Sequence, residues 1–401
     1  MKYILLILLF LPAQAFAFTT GQNATTVIGH TDFDIVGTIH SNTTAGTLYF
    51  PDGIAFDKPG NLWIADTGFN RVLEFIPPFT NGETASTVLG QVDFVSSQAN
   101  LSSTGLDQPY GLTFDKYSNM WVADTNNNRI VEYTFPFRNG ESTSLVIGSP
   151  SFNKGAYPTS ASSLAAPYGL AFDKSGDLWA VDYYDNRILE YVPPFKESMN
   201  ATLVLGQSGF TDNSDGTTPN RLNLPSAIAF DFGGNLWVTD SLNNRVLEFT
   251  YPFSTDESAS LVIGQNNFTT NQPGITNDTL NTPYGIAFDS NGNLWVTDGN
   301  NARVLEFIPP FSNGESASVV LGQGSFAGMH MGTLANMLSE PYDVKFDNSN
   351  NLWVADTANN RIVGFETTAI PEFGSLANFV IVVSIIGTVV ISRKFFMKSH
   401  H

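Results

Sequence analysis

The 401-residue sequence contains no cysteine. Disulfide bonds and thiolate metal sites are therefore excluded, so an exported protein of this sequence must be held together by its core and by the closure of its chain. Histidine is also scarce, with five residues in all, and His400 and His401 end the chain. The sequence has no nucleophile elbow, no phosphate-binding loop and no H-E-x-x-H motif, which removes the most recognisable hydrolase and nucleotide-binding classes.

The sequence is also poor in positively charged residues. Lysine and arginine number 18 against 37 aspartates and glutamates, and the formal net charge is -19. Such a surface repels phosphate backbones, so we expect no nucleic-acid partner. Hydrophobic residues make up 42% of the chain and charged residues only 14%. This composition supports a packed core rather than a disordered chain.

Both ends of the sequence carry apolar runs. Residues 1–17 combine Lys2, an apolar stretch and the small-residue end Ala15-Phe16-Ala17. This pattern predicts a secretory signal peptide that is cut after Ala17, with an uncut membrane anchor as the alternative. Near the other end, residues 376–392 are apolar and are followed by the basic segment 393–401. We predict a C-terminal hydrophobic helix there, with the basic tail in the cytoplasm.

A short motif precedes this apolar segment. Residues 367–375 form a predicted linker that contains Pro371, Glu372, Phe373 and Gly374. Together with the apolar helix and the basic end, the motif resembles the PEFG-type sorting signal of archaeal surface proteins. The resemblance implies that an archaeosortase cuts near the motif and attaches a lipid, while a plain transmembrane anchor stays open. Either alternative predicts an exported protein anchored at the outer face of the cell membrane.

A period of 58 residues runs through the middle of the chain. All six tryptophans keep this period, and a proline, an aspartate and an arginine recur with it. The repeats start at residues 51, 109, 167, 225, 283 and 341. The tryptophans are Trp63, Trp121, Trp179, Trp237, Trp295 and Trp353. An exact internal repeat of this length predicts a ring or an array of identical units.

Each repeat contains four short apolar segments separated by turn residues. In the second repeat they span 111–115, 119–124, 129–133 and 144–148, and helical periodicity is absent. Four strands repeated six times predict an all-β, six-bladed β-propeller over residues 18–366, with four antiparallel strands in each blade. The last repeat lacks its fourth strand, and residues 25–29 match the missing segment. We therefore predict that the N-terminal strand completes the last blade.

The repeat motif resembles the NHL repeat family. In the fifth repeat the motif consists of GIAFD at 285–289, GNLWVTD at 292–298 and RVLEF at 303–307, and the resemblance covers residues 25–366. It implies a propeller that binds proteins in most members and RNA in some. Related six-bladed propellers include lyases and lactone hydrolases, so the resemblance implies a fold and not one activity.

Residues that recur alike in every blade are expected to be structural. The tryptophans are expected to fill the wedges between blades. The recurring acid–base pair, Asp66 and Arg71 in the first repeat, is expected to brace the turn between the second and third strands. A ring of arginines that binds an anion is the alternative.

One position departs from the repeat and is the candidate ligand site. The residue after each entry proline is tyrosine in four repeats, aspartate in one and serine in one. Because it opens the innermost strand, we expect it to line the mouth of the central channel, on the face that carries the variable connectors. Packing of the channel wall is the alternative. The residues are Asp52, Tyr110, Tyr168, Ser226, Tyr284 and Tyr342.

Two sets of residues could hold a metal ion, although no cofactor is required. His30, His40 and His330 lie in connectors predicted to be neighbours, and three imidazoles could bind zinc. His30 takes the place of a glutamine in other repeats, which favours a structural role. Asp212 and Asp215 could bind calcium loosely, although they miss the EF-hand spacing.

Six N-x-S/T sequons fall in predicted loops or strand ends, as expected of an exported glycoprotein. They are Asn23, Asn42, Asn100, Asn200, Asn267 and Asn277.

The sequence thus predicts a surface-held binding or adhesion module, with an extracellular protein, peptide or glycan as its partner and the membrane reached through the C-terminus. A structural envelope component is one alternative. A metal-dependent lyase or a lactone hydrolase of the propeller class is another, so enzymatic activity stays open.

Overall fold

The computed structural model describes residues 16–34, 42–152 and 158–369. The chain divides into two units, residues 19–366 and residues 1–18 with 367–401. The larger unit contains six four-stranded antiparallel sheets, which confirms the all-β six-bladed propeller. In the smaller unit, Phe16–Ala17 pairs antiparallel with Thr368–Ala369. Blades are numbered 1 to 6 from residue 51, and the strands of a blade are called inner, second, third and outer.

The strands keep the same lengths around the ring. The inner strands are Pro51–Phe56, Pro109–Phe114, Pro167–Phe172, Pro225–Phe230, Pro283–Phe288 and Pro341–Phe346. The second strands are Leu62–Asp66, Met120–Asp124, Leu178–Asp182, Leu236–Asp240, Leu294–Asp298 and Leu352–Asp356. The third strands are Arg71–Phe75, Arg129–Tyr133, Arg187–Tyr191, Arg245–Phe249, Arg303–Phe307 and Arg361–Phe365. The outer strands are Thr87–Leu89, Leu145–Ile147, Leu203–Leu205, Leu261–Ile263, Val319–Leu321 and, for blade 6, Thr26–Ile28.

Single turns of 3-10 helix join the second and third strands in five blades. They are Thr67–Phe69, Thr125–Asn127, Ser241–Asn243, Gly299–Asn301 and Thr357–Asn359. Each ends in a residue with left-handed backbone, Asn70 in blade 1 (φ 56°) and Ala302 in blade 5 (φ 51°). Asparagine tolerates this conformation better than most residues, which explains why it precedes the arginine in the other blades.

The ring closes through the N-terminal strand, as predicted. Thr26–Ile28 pairs antiparallel with Arg361–Phe365, with Val27 opposite Val363. Val27 and Ile28 are fully buried. The backbone N–H of Val27 donates to the side chain of Asn81 in blade 1 over 3.0 Å, which repeats the bond from Val88 to Asn139. The closing strand therefore makes the same contacts as an ordinary outer strand.

Strand register defines the two faces of the propeller. In blade 1, Pro51 and Arg71 both lie opposite Asp66, so the start of the inner strand and the turn after the second strand share one face. We call it the connector face, because each connector from an outer strand enters the next inner strand there. Phe56 and Phe75 both lie opposite Leu62, so the two other turns of the blade share the opposite face. We call that one the hairpin face.

The tryptophans fill the wedges between blades. Trp63 of blade 1 contacts Phe114 and Phe137 of blade 2 edge-on, with ring centroids 6.1 and 4.9 Å apart. Trp353 of blade 6 meets Phe56 and Phe79 of blade 1 in the same way. Truncation of a buried tryptophan of this kind costs roughly 3–5 kcal/mol, so the ring is held by repeated aromatic contacts.

The recurring arginine clamps two connectors to its blade. Arg71 Nε donates to Asp66 Oδ2 over 2.7 Å, while Nη1 donates to the carbonyl of Phe94 and Nη2 to those of Thr44 and Thr47. The same ion pair recurs in all six blades at 2.6 to 2.8 Å. Both side chains are buried in every blade. The guanidinium groups are thus occupied by the protein's own carbonyls, and the alternative of an anion-binding ring is wrong.

Some of the predicted segments fall outside the residues that the structure describes. Residues 1–15 and 370–401 fall outside the described residues, so the signal peptide, the sorting motif Pro371 to Gly374, the helix 376–392 and the tail 393–401 stay predictions. Within the described ranges, no helix is long and apolar enough to span a membrane.

Candidate functional site

All six residues predicted for the channel mouth line one recess. It lies among the starts of the inner strands, which places it at the connector-face end of the central channel. The recess is small, with about 480 Å³ of empty space, open solvent included, so that little room is left between the inner strands. The channel mouth is therefore narrow, and it suits a single side chain or sugar substituent rather than a whole ligand.

The channel mouth is narrow because glycines let neighbouring inner strands approach each other closely. A Cβ on Gly53 would lie 2.0 Å from the carbonyl oxygen of Tyr110, and one on Gly111 would lie 2.2 Å from that of Tyr168. The inner strands therefore approach one another more closely than a side chain would allow. Blades 4 and 6 carry Ala227 and Asp343 at this position.

The tyrosines of the mouth form two stacks. Tyr110 stacks on Tyr168 with centroids 4.2 Å apart, and Tyr168 stacks on Tyr183 at 4.1 Å. Tyr284 stacks on Tyr342 at 4.0 Å. All five rings are half-buried, and four of them, Tyr110, Tyr168, Tyr284 and Tyr342, line the recess. The two interpretations of these tyrosines, a ligand site and packing of the channel wall, thus apply to the same side chains.

Ser226 is a buried member of the ring. Its hydroxyl lies 2.9 Å from that of Thr239 and 2.8 Å from that of Ser241, and it donates to the carbonyl of Tyr284. The residue is 6% exposed. Its hydrogen bonds are thus made inside the wall between blades 4 and 5.

Asp52 is also buried, at 4% exposure. Burial raises its pKa to about 8, and the charges of Asp66 and Asp343 raise the pKa further, while the neighbouring hydroxyls of Thr67 and Thr357 lower it. At neutral pH the carboxyl is therefore mainly protonated, and it can donate a hydrogen bond as well as accept one.

The phenols keep their protons as well. Burial raises the pKa of Tyr110, Tyr168, Tyr284 and Tyr342 above the ordinary value of 10, and it raises that of Tyr183 to about 12. The charge of Asp52 raises the pKa of the first four further. The mouth therefore presents uncharged hydroxyl groups next to a neutral carboxyl, an arrangement suited to an uncharged polar ligand.

Sequence reasoning missed Tyr183 as a site residue. It follows the second-strand aspartate, a position held by threonine or serine in four other blades. There the hydroxyl donates to the carbonyl of the next blade's entry proline over 2.5 to 2.7 Å. Tyrosine at this position breaks the pattern, and that departure from the repeat was the available signal.

Asp343 and Lys345 were missed as well. Lys345 Nζ lies 2.6 Å from Asp343 Oδ1, and Asp343 Oδ2 accepts from the backbone N–H of Ile54 in blade 1. Both residues line the recess. They stand where the other inner strands carry only small residues, glycine or alanine at the first position and alanine or threonine at the second. The pair makes blade 6 the polar side of the channel.

The proposed zinc ligands lie in different environments. His30 is buried, and its Nε2 lies 2.9 Å from the carbonyl oxygen of Asn359. His330 is exposed, and its backbone is bonded to the side chain of Gln323. His40 lies outside the described residues. Over the described ranges, no three histidine, aspartate or glutamate side chains are grouped so that they could hold a metal ion.

The proposed calcium residue Asp212 is engaged within the protein. Arg221 Nη1 lies 2.6 Å from its Oδ2, and Ser208 and Ser214 donate to the same carboxylate. Arg221 is the main cause of a lowered pKa of Asp212. No ion-binding arrangement with Asp215 is formed there among the described residues.

The sequons lie at the surface. Asn23, Asn42, Asn100, Asn200 and Asn267 are exposed, and Asn277 is half-buried.

Comparisons with known proteins agree with this fold. The NHL repeat model matches residues 280–307 and 338–365. A solved protein of unknown function from Bacteroides thetaiotaomicron is similar, with a TM-score of 0.56, 16% identity and coverage of 89% of this chain and 77% of that one. An auxiliary nutrient binding protein from Bacteroides ovatus has a TM-score of 0.52 at 13% identity, covering 86% and 76%. These likenesses concern the fold.

The chain matches only part of the length of its curated relatives. Peptidyl-alpha-hydroxyglycine alpha-amidating lyase 1 of Drosophila melanogaster is 25% identical over 185 residues, which is 43% of this chain and 32% of the relative. Peptidyl-glycine alpha-amidating monooxygenase of Mus musculus is 25% identical over 205 residues, 49% and 19% of the two chains. The alignments thus span a third or less of these relatives. The chain thus carries two segments that match the NHL repeat, in blades 5 and 6 of a six-bladed β-propeller.

Proposed function

We propose that this protein is an exported, surface-held binding module whose channel mouth takes an uncharged polar group of an extracellular peptide or glycan. The observation that carries this proposal is the pair of tyrosine stacks around a protonated carboxyl. Aromatic faces suit sugar rings and apolar side chains, while hydroxyl donors select the polar group that enters the recess.

The surroundings of the recess support a ligand larger than the recess itself. The connectors on the same face are the least similar parts of the repeats, and asymmetric loops on a rigid frame are where specific recognition usually resides. One sugar unit or side chain would enter the mouth, and the connectors would contact the rest. The hairpin face carries more uniform turns and offers less to distinguish one ligand from another.

The test combines a ligand screen with paired variants. Purified protein is screened against glycan and peptide arrays, and the best ligand is titrated against the wild type and the double variant Tyr168→Ala/Tyr284→Ala. We expect binding to weaken by roughly tenfold or more, since buried aromatic contacts commonly dominate such interfaces. The melting temperature checks that the ring still folds.

Tyr251→Ala is the matched control, because this exposed tyrosine lies on the hairpin face and should leave binding unchanged. A ligand footprint confined to the hairpin face, around Phe79 and Phe311, would refute the placement.

A lyase is the second candidate function. It is favoured by the amidating lyase among the curated relatives and by Asp52, whose pKa of about 8 lets it exchange a proton near neutral pH. Turnover of a peptidyl-α-hydroxyglycine substrate, lost in Asp52→Asn and Tyr183→Phe but retained in Tyr251→Ala, would replace the binding assignment with this one.

A further inference from the structure

A continuous row of tyrosine rings leads from the channel mouth over blade 3. Tyr110 and Tyr168 are its first two rings, and Tyr183 stacks on Tyr168 with the ring planes 9° apart. The ring of Tyr184 follows, with its centroid 5.1 Å from that of Tyr183 and its plane turned by 67°. The first two rings belong to inner strands and the last two lie in the turn after the second strand, so the row runs outward from the channel. We call these four rings the tyrosine row.

The outer half of the row is specific to blade 3. The other five blades carry no tyrosine at the positions of Tyr183 and Tyr184. In blade 5 the residue that corresponds to Tyr183 is Gly299, and a Cβ on it would lie 2.5 Å from Cδ2 of Tyr284. The ring of Tyr284 therefore occupies the space into which a longer side chain at Gly299 would extend. The row thus gives the otherwise repetitive ring of blades one distinct direction on the connector face.

The turn at the outer end of the row is tied to both neighbouring connectors. Asp185 Oδ1 accepts hydrogen bonds from Thr159 Oγ1 over 3.0 Å and from Asn213 Nδ2 over 3.2 Å. Thr159 lies in the connector that enters blade 3, and Asn213 lies in the connector that leaves it. Asp185 Oδ2 also lies 3.3 Å from Nη2 of Arg187. These contacts fix the turn, so the outer rings need little ordering when a ligand binds.

Tyr184 is the exposed end of this arrangement. Its side chain is 63% exposed, and the corresponding residues of the other blades are glycine, asparagine, leucine or alanine. The turn therefore does not need an aromatic ring at this position in order to form. A single exposed ring would call for no explanation, but this one extends a row that begins in the recess. Together the four rings form an aromatic surface of the kind that marks a binding site.

The chemistry of the row favours an uncharged sugar chain over a peptide. The only charged side chain of the turn is that of Asp185, which is buried and paired with Arg187. The backbone N–H groups of Tyr183, Tyr184 and Asn186 donate to carbonyls of the protein itself, so the turn offers few main-chain partners to a peptide. Ring faces and phenol hydroxyls remain, and they suit the apolar faces and the hydroxyl groups of sugars. The formal charge of -19 disfavours an acidic glycan.

We propose that the tyrosine row is an extended binding site for an uncharged oligosaccharide. One sugar unit enters the recess, and the following units lie over Tyr183 and Tyr184. The inference rests on the proposed binding at the channel mouth, and it deepens that proposal by naming the class of ligand and the direction of its chain. Affinity should then depend on chain length, because a single sugar occupies only the recess.

Titration with sugars of increasing length tests this directly. Full-length protein is titrated calorimetrically with the monosaccharides and with the β-1,4-linked oligosaccharides, up to the hexasaccharide, of glucose, mannose, xylose and N-acetylglucosamine. In a series that binds, we expect affinity to rise by about tenfold from the monosaccharide to the longer chains, as one further aromatic contact would give. Oligosaccharides of galacturonic acid, which are anionic, should bind more weakly than any uncharged series that binds.

A graft from blade 2 removes the outer half of the row while keeping a turn that the fold already uses. The triple variant Tyr183→Thr/Tyr184→Asn/Asp185→Asn gives blade 3 the turn sequence of residues 125–127. We expect this variant to melt near the wild-type temperature and to lose the gain in affinity with chain length. The single variant Tyr184→Ala should lose the same gain.

Two further variants separate the parts of the site. Tyr168→Ala/Tyr284→Ala should weaken binding at every chain length, because it removes rings of the recess itself. Tyr117→Ala is the matched control, since this tyrosine is 71% exposed but lies in the first turn of blade 2, on the hairpin face. It should leave both the affinity and its dependence on chain length unchanged.

Four results would overturn the inference, and they bear differently on the channel mouth. A gain with chain length that survives in the graft would place the outer sugar units elsewhere and leave the recess as the site. A peptide whose binding depends on Tyr168 and Tyr284, while no oligosaccharide binds, would remove the glycan and keep the channel-mouth proposal. Glycan binding that is weakened by Tyr184→Ala but not by the double variant would remove the recess from the site. Failure of every peptide and oligosaccharide to bind would remove both proposals.

Discussion

Asp52 is the acid in a ring position that four other blades fill with tyrosine. Its carboxyl is buried where the inner strands meet, and it borders hydroxyl groups from blade 1 and blade 6. Burial therefore keeps this carboxyl mainly in its neutral form near pH 7. This gives the residue a measurable signature that an exposed carboxylate would not have.

We expect Asp52→Asn to change the pH dependence of stability. The pKa of Asp52 rises from its ordinary 3.8 to about 8 on folding, so between these values the folded state holds a proton that the unfolded chain has released. Stability of the wild type therefore falls as the pH rises from about 4 to about 8. Asparagine cannot ionise, so the variant should gain on the wild type by a few kcal/mol over this window, as measured by urea midpoints.

Glu197→Gln serves as the control, because this exposed carboxyl lies on the hairpin face. Parallel curves for the wild type and Asp52→Asn between pH 4 and pH 8 would contradict the assignment.

At the residue scale, the sequence was informative wherever a residue repeats. The structural roles of the tryptophans, and of the pairs typified by Asp66 and Arg71, followed from their recurrence. The burial of Asp52 and Ser226 did not, because it depends on how closely neighbouring inner strands approach. Tyr183 was missed although it departs from the threonine or serine of four other blades, because the hydroxyl bond that it replaces joins two blades and its role cannot be seen within one repeat.

The outer strand of blade 6 is the element on which the ring depends. It is contributed by the opposite end of the chain, and its three residues pair with the third strand of the last repeat. Without it, Arg361–Phe365 would present an unpaired edge of apolar residues. Exposed edges of this kind pair with other chains.

Deleting residues 18–29 should therefore open the ring at blade 6. We expect a less stable protein that associates through the free edge, as measured by light scattering and by the thermal midpoint. Substitution of Thr19 and Thr20 by serine is the matched control, since it changes the same segment but keeps the strand. A deletion variant that stays monomeric and as stable as the wild type would show that the N-terminal strand does not contribute to closing the ring.

The positions of the strands were largely predictable from the sequence, while the 3-10 conformation of the turns was not. The second and third strands appear within a residue of the predicted positions. The inner strands start two residues earlier than predicted, at the entry proline, which lies opposite the second-strand aspartate. The 3-10 turns were not foreseen, because their hydrogen bonds involve the backbone and leave only the asparagine at the left-handed position as a trace.

For the whole molecule, the predicted cellular address depends on the sequences of the two ends. The blades alone do not distinguish a secreted propeller from an anchored one. The sorting-signal and transmembrane alternatives predict different mature chains, because only the first removes residues 376–392.

We expect the mature protein, isolated from its own cells, to lack this segment and to carry a lipid near Pro371, as measured by intact-mass spectrometry. Replacement of residues 371–374 by alanine should leave export intact and keep the segment uncut. A wild-type mature chain that retains residues 376–392 would show that the tail is an ordinary transmembrane anchor.

The arginine clamp affects how such a protein can change over generations. Each guanidinium holds its connectors through backbone carbonyl oxygens, such as those of Phe94, Thr44 and Thr47, and every residue type possesses a carbonyl. The loop backbone is thereby fixed without any demand on most of its side chains. Mutations can therefore accumulate in the connectors at little cost in folding, and a new specificity can be selected on a frame that has already been made rigid.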